Sequence, residues 1–149
     1  DLFELVPTDL YTEEDLDYTN EDSRVSKEHD DPALRAVRLE NVSPDGWADY
    51  DTIFLGYPIW WGIAAWPLDG FVSANDFTGK TVIPFVAHGT GGISGSVRDM
   101  SASLPEDCTV LAPIGVYRPD IPNCGPAMEE WLKTLDLLFV LDDSFEVTQ

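Results

Sequence analysis

The sequence predicts one α/β domain, a doubly wound parallel sheet with helices on both faces. Three observations predict it. Residues 52–57 and 81–87 are nearly continuous apolar runs without polar alternation, the pattern of strands covered on both faces. Stretches with apolar residues at helical spacing lie between and after these runs, and alternating strands and helices make a parallel sheet with right-handed crossovers. The 149 residues, 44% of them apolar, fit a single domain with a sizeable core.

Taken in order, residues 2–6 read as a strand ended by Pro7. Residues 12–31 are acidic and weakly periodic, and predict a solvated loop with a short helix closed before Pro32. Residues 35–42 fit no single element, and residues 47–50 suit one helical turn. After the strand at 52–57, Pro67 suits a first helical position, with Leu68, Phe71 and Val72 behind it at i, i+3, i+4. The strand at 81–87 contains Pro84, which lacks a ladder donor, so a local irregularity is expected there. Ser96 and Asp99 resemble a capping box, and Ile93, Val97, Met100 and Leu104 make one apolar stripe. A third run, 109–112, is broken by Pro113 and resumes at 114–117. The last helix is expected to start near Asn123, with Pro126 in its first turn and Ala127, Trp131, Leu132 and Leu135 on its buried face. Residues 137–149 extend beyond it; the apolar run 137–141 suits either a buried strand or another helical turn.

Twenty-eight Asp and Glu face eight Lys and Arg, a net charge of -20. Such a field repels nucleic acid and anionic lipid. It suits a basic partner protein, and it equally suits plain solubility. No window reaches the roughly 18 apolar residues of a membrane span. The opening at Asp1 is not that of a signal peptide, so a cytoplasmic location is expected. Cys108 and Cys124 form no zinc or C-x-x-C spacing and are expected to be free thiols. No metal set and no marked catalytic residue stands out.

In open parallel sheets ligands sit beyond the carboxyl ends of the strands. The run at 52–57 is followed by Pro58, Ile59, Trp60, Trp61 and Gly62. Two adjacent indoles in a loop bounded by Pro and Gly suit stacking on a flat aromatic ligand. A cap on the sheet or a subunit contact would explain them equally. The run at 81–87 is followed by His88, Gly89, Thr90, Gly91 and Gly92. Glycines let a backbone approach a ligand and offer it amide donors. The loop lacks the spacing and Lys of a phosphate loop, so a plain strand-to-helix turn explains it too. His88 reads as a hydrogen-bonding support more readily than as a catalyst.

Together these segments resemble bacterial flavodoxin-like proteins. Residues 50–62 resemble the third strand and first flavin loop. Residues 79–85 with His88–Gly92 resemble the fourth strand and second flavin loop. Residues 96–100, 1–7 and 129–132 resemble the helix that follows, the second strand and the last helix. The resemblance implies a flavodoxin-like fold, the cofactor FMN and a role in electron transfer. It also implies that Pro58–Gly62 and His88–Gly92 flank the isoalloxazine ring; with the acidic charge, that makes a basic protein the expected redox partner.

The resemblance also implies a strand and a Ser/Thr/Gly/Asn phosphate loop that residues 1–149 do not match. In the order 2-1-3-4-5 that strand is central, between residues 2–6 and 52–57. Residues 137–141 are expected to fill the slot. Asp142 and Asp143 would then stand where the phosphate loop belongs and repel a phosphate, making FMN affinity poor. Two other readings stand beside the carrier. One is a flavin-free binding or scaffold module that has lost the phosphate loop; the other is a small flavin-dependent reductase.

Overall fold

The computed structural model describes residues 1–135. Its elements in chain order are α1 (Arg24–Asp30), β1 (Thr52–Trp60), β2 (Ile63–Ala64), α2 (Pro67–Ala74), β3 (Thr81–His88), α3 (Ser96–Ser101), β4 (Thr109–Val110), β5 (Ile114–Tyr117) and α4 (Gly125–Thr134). Three short strands, β2, β4 and β5, accompany the long pair β1 and β3. The sheet order is β2-β1-β3-β4, with β5 also on β3. All pairs are parallel except the β1–β2 hairpin. The result is a mixed α/β fold on a mostly parallel sheet.

Side chains of β1 and β3 alternate between two cores. Leu55, Tyr57, Val82 and Val86 meet Leu68, Phe71 and Val72 of α2 and Met100 of α3. Ile83 meets Trp131 and Leu135 on the other face, where Trp131 also stands edge-on to Phe54 at 6.3 Å. Helices therefore cover both faces, but unequally: Phe54 and Phe85 remain about two-fifths exposed. The Phe85 ring lies over Gly56, where a Cβ would come within 2.2 Å of it.

Pro84 does not disturb its own strand, whose register with β1 runs unbroken from Thr52↔Thr81 to Pro58↔Ala87. The irregularity falls on the neighbour. Leu111 donates its amide to Val82 O at 2.9 Å, so Val82 and, two residues on, Pro84 turn their backbone polar groups to that side. There β4 has ended at Val110 and β5 starts only at Ile114. The missing N–H of Pro84 thus faces the break around Pro113.

Several expectations need correction. Residues 2–6 form no ladder. Phe3 and Leu5 turn toward the core beside α2, and only Pro7 bridges, antiparallel, to Leu39. Packing against a helix satisfies their apolar side chains but leaves no strand beside them. Among the described residues, β1 has only the short β2 on the side away from β3. The proposed filler, residues 137–141, and Asp142 and Asp143 lie outside the described residues. Ser96 does not cap α3: Gly95 holds the cap position, and the buried Ser96 hydroxyl lies 3.3 Å from Tyr57 Oη. On α4, Ala127 and Leu132 face solvent. Its inward stripe is Met128, Trp131 and Leu135, one residue round from the expected face.

Candidate functional site

Because Pro58 and Ala87 are in register, the segments that follow β1 and β3 leave the sheet at one level, its carboxyl edge. The first is not the open loop expected at 58–62. Pro58, Ile59 and Trp60 belong to β1, which turns back through Trp61 and Gly62 into β2, pairing Ile59 with Ala64 and Trp60 with Ile63. Both turn residues have positive φ, 50° and 77°, the signature of a two-residue hairpin turn that matches strand twist. Gly62 adopts this freely. Trp61 does not: a left-handed conformation in an L-residue costs about 1–2 kcal/mol.

The two indoles part company at this turn. Trp60 is half-buried between the rings of Tyr11, at 4.7 Å, and Trp66, at 5.1 Å. Trp61 is 44% exposed, and its ring stacks on the His29 imidazole at 4.2 Å with 22° between planes.

The second segment starts at His88, the last residue of β3. Its Nδ1 lies 2.7 Å from Gly89 O, and its ring packs over Gly115, where a Cβ would sit 3.1 Å from His88 Cδ2. His88 therefore braces the loop from β5. Gly89, Thr90 and Gly91 are exposed. A Cβ added at Gly89, Gly91 or Gly92 would meet nothing within 4 Å, and only Gly92 has a positive φ, 66°. The Cβ directions of these three glycines thus open onto free space. The two segments meet where a Cβ on Gly62 would come 3.7 Å from Ser94 Oγ.

A third wall escaped the sequence reasoning. The short helix expected before Pro32 within residues 12–31 is α1, but it is not solvated: Ser23, Val25, Ser26 and Glu28 are buried. Glu28 Oε2 accepts from Tyr11 Oη and from Trp66 Nε1, both at 2.7 Å, and Oε1 accepts from Arg24 Nε at 2.9 Å. Burial, reinforced by the hydrogen bond and the charge of Glu28, pushes the Tyr11 phenol far above its ordinary pKa. It therefore remains a donor. The local signals for this wall were the Ser23 cap and the i, i+4 pair Arg24–Glu28.

Two open hollows lie elsewhere, about 420 Å³ against α1 and about 300 Å³ at the end of β5. Among the described residues no group of three or more His, Cys, Asp or Glu could hold a metal ion, and no helix is long and apolar enough to cross a membrane.

Aromatic and glycine-rich turns thus gather at the carboxyl edge of a mostly parallel α/β sheet, the edge at which open sheets of this class generally bind ligands. The chain belongs to the flavodoxin family, whose profile matches residues 1–114. It is similar to a provisionally assigned flavoprotein from Bacteroides eggerthii DSM 20697, with 30% identity and a TM-score of 0.74, over 91% of this chain and 80% of that one. A second provisionally assigned flavoprotein, from Bacteroides uniformis ATCC 8492, gives 29% identity and a TM-score of 0.69 over 88% and 80%. A flavoprotein crystallised in complex with FMN, from Lactobacillus acidophilus NCFM, aligns with 23% identity and a TM-score of 0.41 over 64% and 56%. No match was found among curated proteins.

Proposed function

We propose that this protein holds the isoalloxazine ring of FMN between the hairpin turn of Trp61 and Gly62 and the loop His88–Gly92, and serves in electron transfer. The observation that carries the reading is the exposed Trp61 indole, held on a left-handed backbone beside a bare glycine loop. Strain of this kind persists where surrounding structure enforces it, and it clusters at ligand sites. The residues fit the ring. Trp61 offers a π face, the amides of residues 89–92 offer donors to its polar edge, and His88 keeps the loop in place. Pro58, Ile59 and Trp60 support the turn from within β1. The phosphate end of the cofactor is assigned to no residue. When bound, the flavin supplies the redox chemistry, and the chain supplies orientation and polarity.

The charge of -20 suits docking of a basic redox partner in the cytoplasm, because complementary fields raise encounter rates. The test is reconstitution of the purified protein with FMN, followed by flavin absorbance after desalting and by titration of flavin fluorescence. Saturable uptake is expected; no uptake overturns the reading. Oxidation of NAD(P)H by the loaded protein would make it a reductase and not a carrier. One observation favours the flavin-free module: Trp60 and Trp61 already have aromatic partners in the chain. A colourless protein after reconstitution selects that reading.

A further inference from the structure

We infer that His29 is a positioning residue of the ring site: the end of α1 backs the Trp61 indole and fixes the plane on which a flavin stacks. The inference rests on the flavin reading above and adds to the two loops a third element distant in sequence. Trp61 sits at the tip of a two-residue turn, where few contacts restrain a side chain. Its ring nevertheless has one face covered by the His29 imidazole, 4.2 Å away with 22° between planes, while 44% of the residue stays exposed. One face is thus backed by an imidazole, and the exposure of the residue leaves indole surface on which a planar ligand could stack as a third ring.

The backbone at His29 is tied down. Arg35 donates Nε to Glu28 O at 2.7 Å and Nη2 to His29 O, closing the last carbonyls of α1. The Arg35 guanidinium lies 5.2 Å from the Trp66 ring. Glu28, one residue before His29, is tied to Tyr11, Trp66 and Arg24 as described. His29 Nδ1 lies 3.1 Å from Asp30 Oδ1, which sets the edge of the imidazole. The acidic segment read as a solvated loop thus ends in a rigid bracket against the hairpin. A preorganised aromatic surface binds a planar ligand more tightly than a mobile one, because less side-chain freedom is lost on binding.

The experiment uses 5-fluorotryptophan-labelled protein, with the Trp61 resonance assigned by Trp61→Phe. His29→Ala and His29→Phe are compared with wild type, first without flavin and then in FMN titrations. The Trp61 resonance should shift and broaden in His29→Ala, and FMN should bind about two- to ten-fold more weakly, the range of one lost aromatic contact. His29→Phe, which restores a flat ring, should recover most of the affinity. Unchanged FMN affinity in His29→Ala overturns the inference. So does His29→Phe binding as weakly as His29→Ala, since stacking would then not be the operative contact. A wild-type protein that takes up no FMN removes the flavin reading and the positioning role with it. That outcome is recognisable because the Trp61 resonance still responds to His29→Ala.

Discussion

Trp66 donates its indole N–H to Glu28 Oε2 at 2.7 Å, joining the start of α2 to α1 across 38 positions of the chain. The same oxygen accepts from Tyr11, and neither Glu28 nor Trp66 is more than 5% exposed. Glu28→Ala should therefore strand three donors and destabilise the fold by about 2–4 kcal/mol, the range for breaking a buried hydrogen-bonded charge cluster. Glu28→Gln keeps an acceptor oxygen and should lose less. Urea unfolding midpoints read both; an unchanged midpoint in Glu28→Ala would show that the cluster adds nothing to stability.

The raised Tyr11 pKa gives the cluster an alkaline limit. A phenol held protonated in the fold contributes stability that is fully present below its unfolded pKa, near 10. As pH rises beyond that value the unfolded chain ionises and the folded one does not, so the contribution declines. Tyr57, whose pKa burial also raises against the opposing Ser96 hydrogen bond, acts in the same direction. Stability should be level to about pH 9 and fall above about pH 10. Tyr11→Phe should make that fall shallower, as measured by chemical denaturation in a series of buffers.

Stability and ligand binding should separate at the hairpin. Trp61→Gly removes the strained side chain from a left-handed position, so the fold should change by no more than about 1 kcal/mol, in either direction. FMN binding should weaken by about 1–2 kcal/mol through the lost stack. Trp60→Ala empties a packed position between Tyr11 and Trp66 and should destabilise the fold by about 3 kcal/mol. Denaturation and FMN titration on the two variants give opposite rankings if the assignment is right; matching rankings would mean that both indoles are structural.

The glycine loop offers a similar contrast. Space is open at Gly91, so Gly91→Val should alter stability by less than about 0.5 kcal/mol and act on FMN affinity alone. Gly92→Val places a β-branched residue at φ 66° and should destabilise by about 1–2 kcal/mol. If Gly91→Val leaves the flavin titration unaltered, the loop is a connection and not a cradle.

The sheet was readable because β1 and β3 carry their buried residues as unbroken apolar runs, and α2 because Pro67 marks its start. What stayed hidden depended on distant partners. The burial of Glu28 is decided by Tyr11 and Trp66, 17 and 38 positions away, while its immediate neighbours are acidic and read as solvent. The hairpin at Trp61 and Gly62 was masked because tryptophan is a poor candidate for a left-handed position, and the flanking Pro and Gly suggested a loop. Residues 2–6 are apolar enough to suit a strand ended by Pro7, but that pattern does not say whether the neighbour of Phe3 and Leu5 is a strand or, as here, the core beside α2. On α4 the periodicity admitted either Leu132 or Met128 as inward, and only the place of Ile83 on the sheet decides between them.

The Phe85 ring lying on Gly56 makes two positions in adjacent strands a single evolutionary unit. Any side chain at position 56 would meet the phenyl well inside contact distance, and neither strand can move away without breaking a ladder that runs in register on both sides of the pair. A substitution at position 56 therefore requires the Phe85 ring, which is two-fifths exposed, to turn aside or to be replaced by a smaller side chain, so the two positions are coupled. Among family members, Ala or Ser at the place of Gly56 should travel with a smaller or differently shaped residue at the place of Phe85. Gly56→Ala alone should lower stability by displacing the ring, and the double exchange Gly56→Ala with Phe85→Val should recover part of that loss.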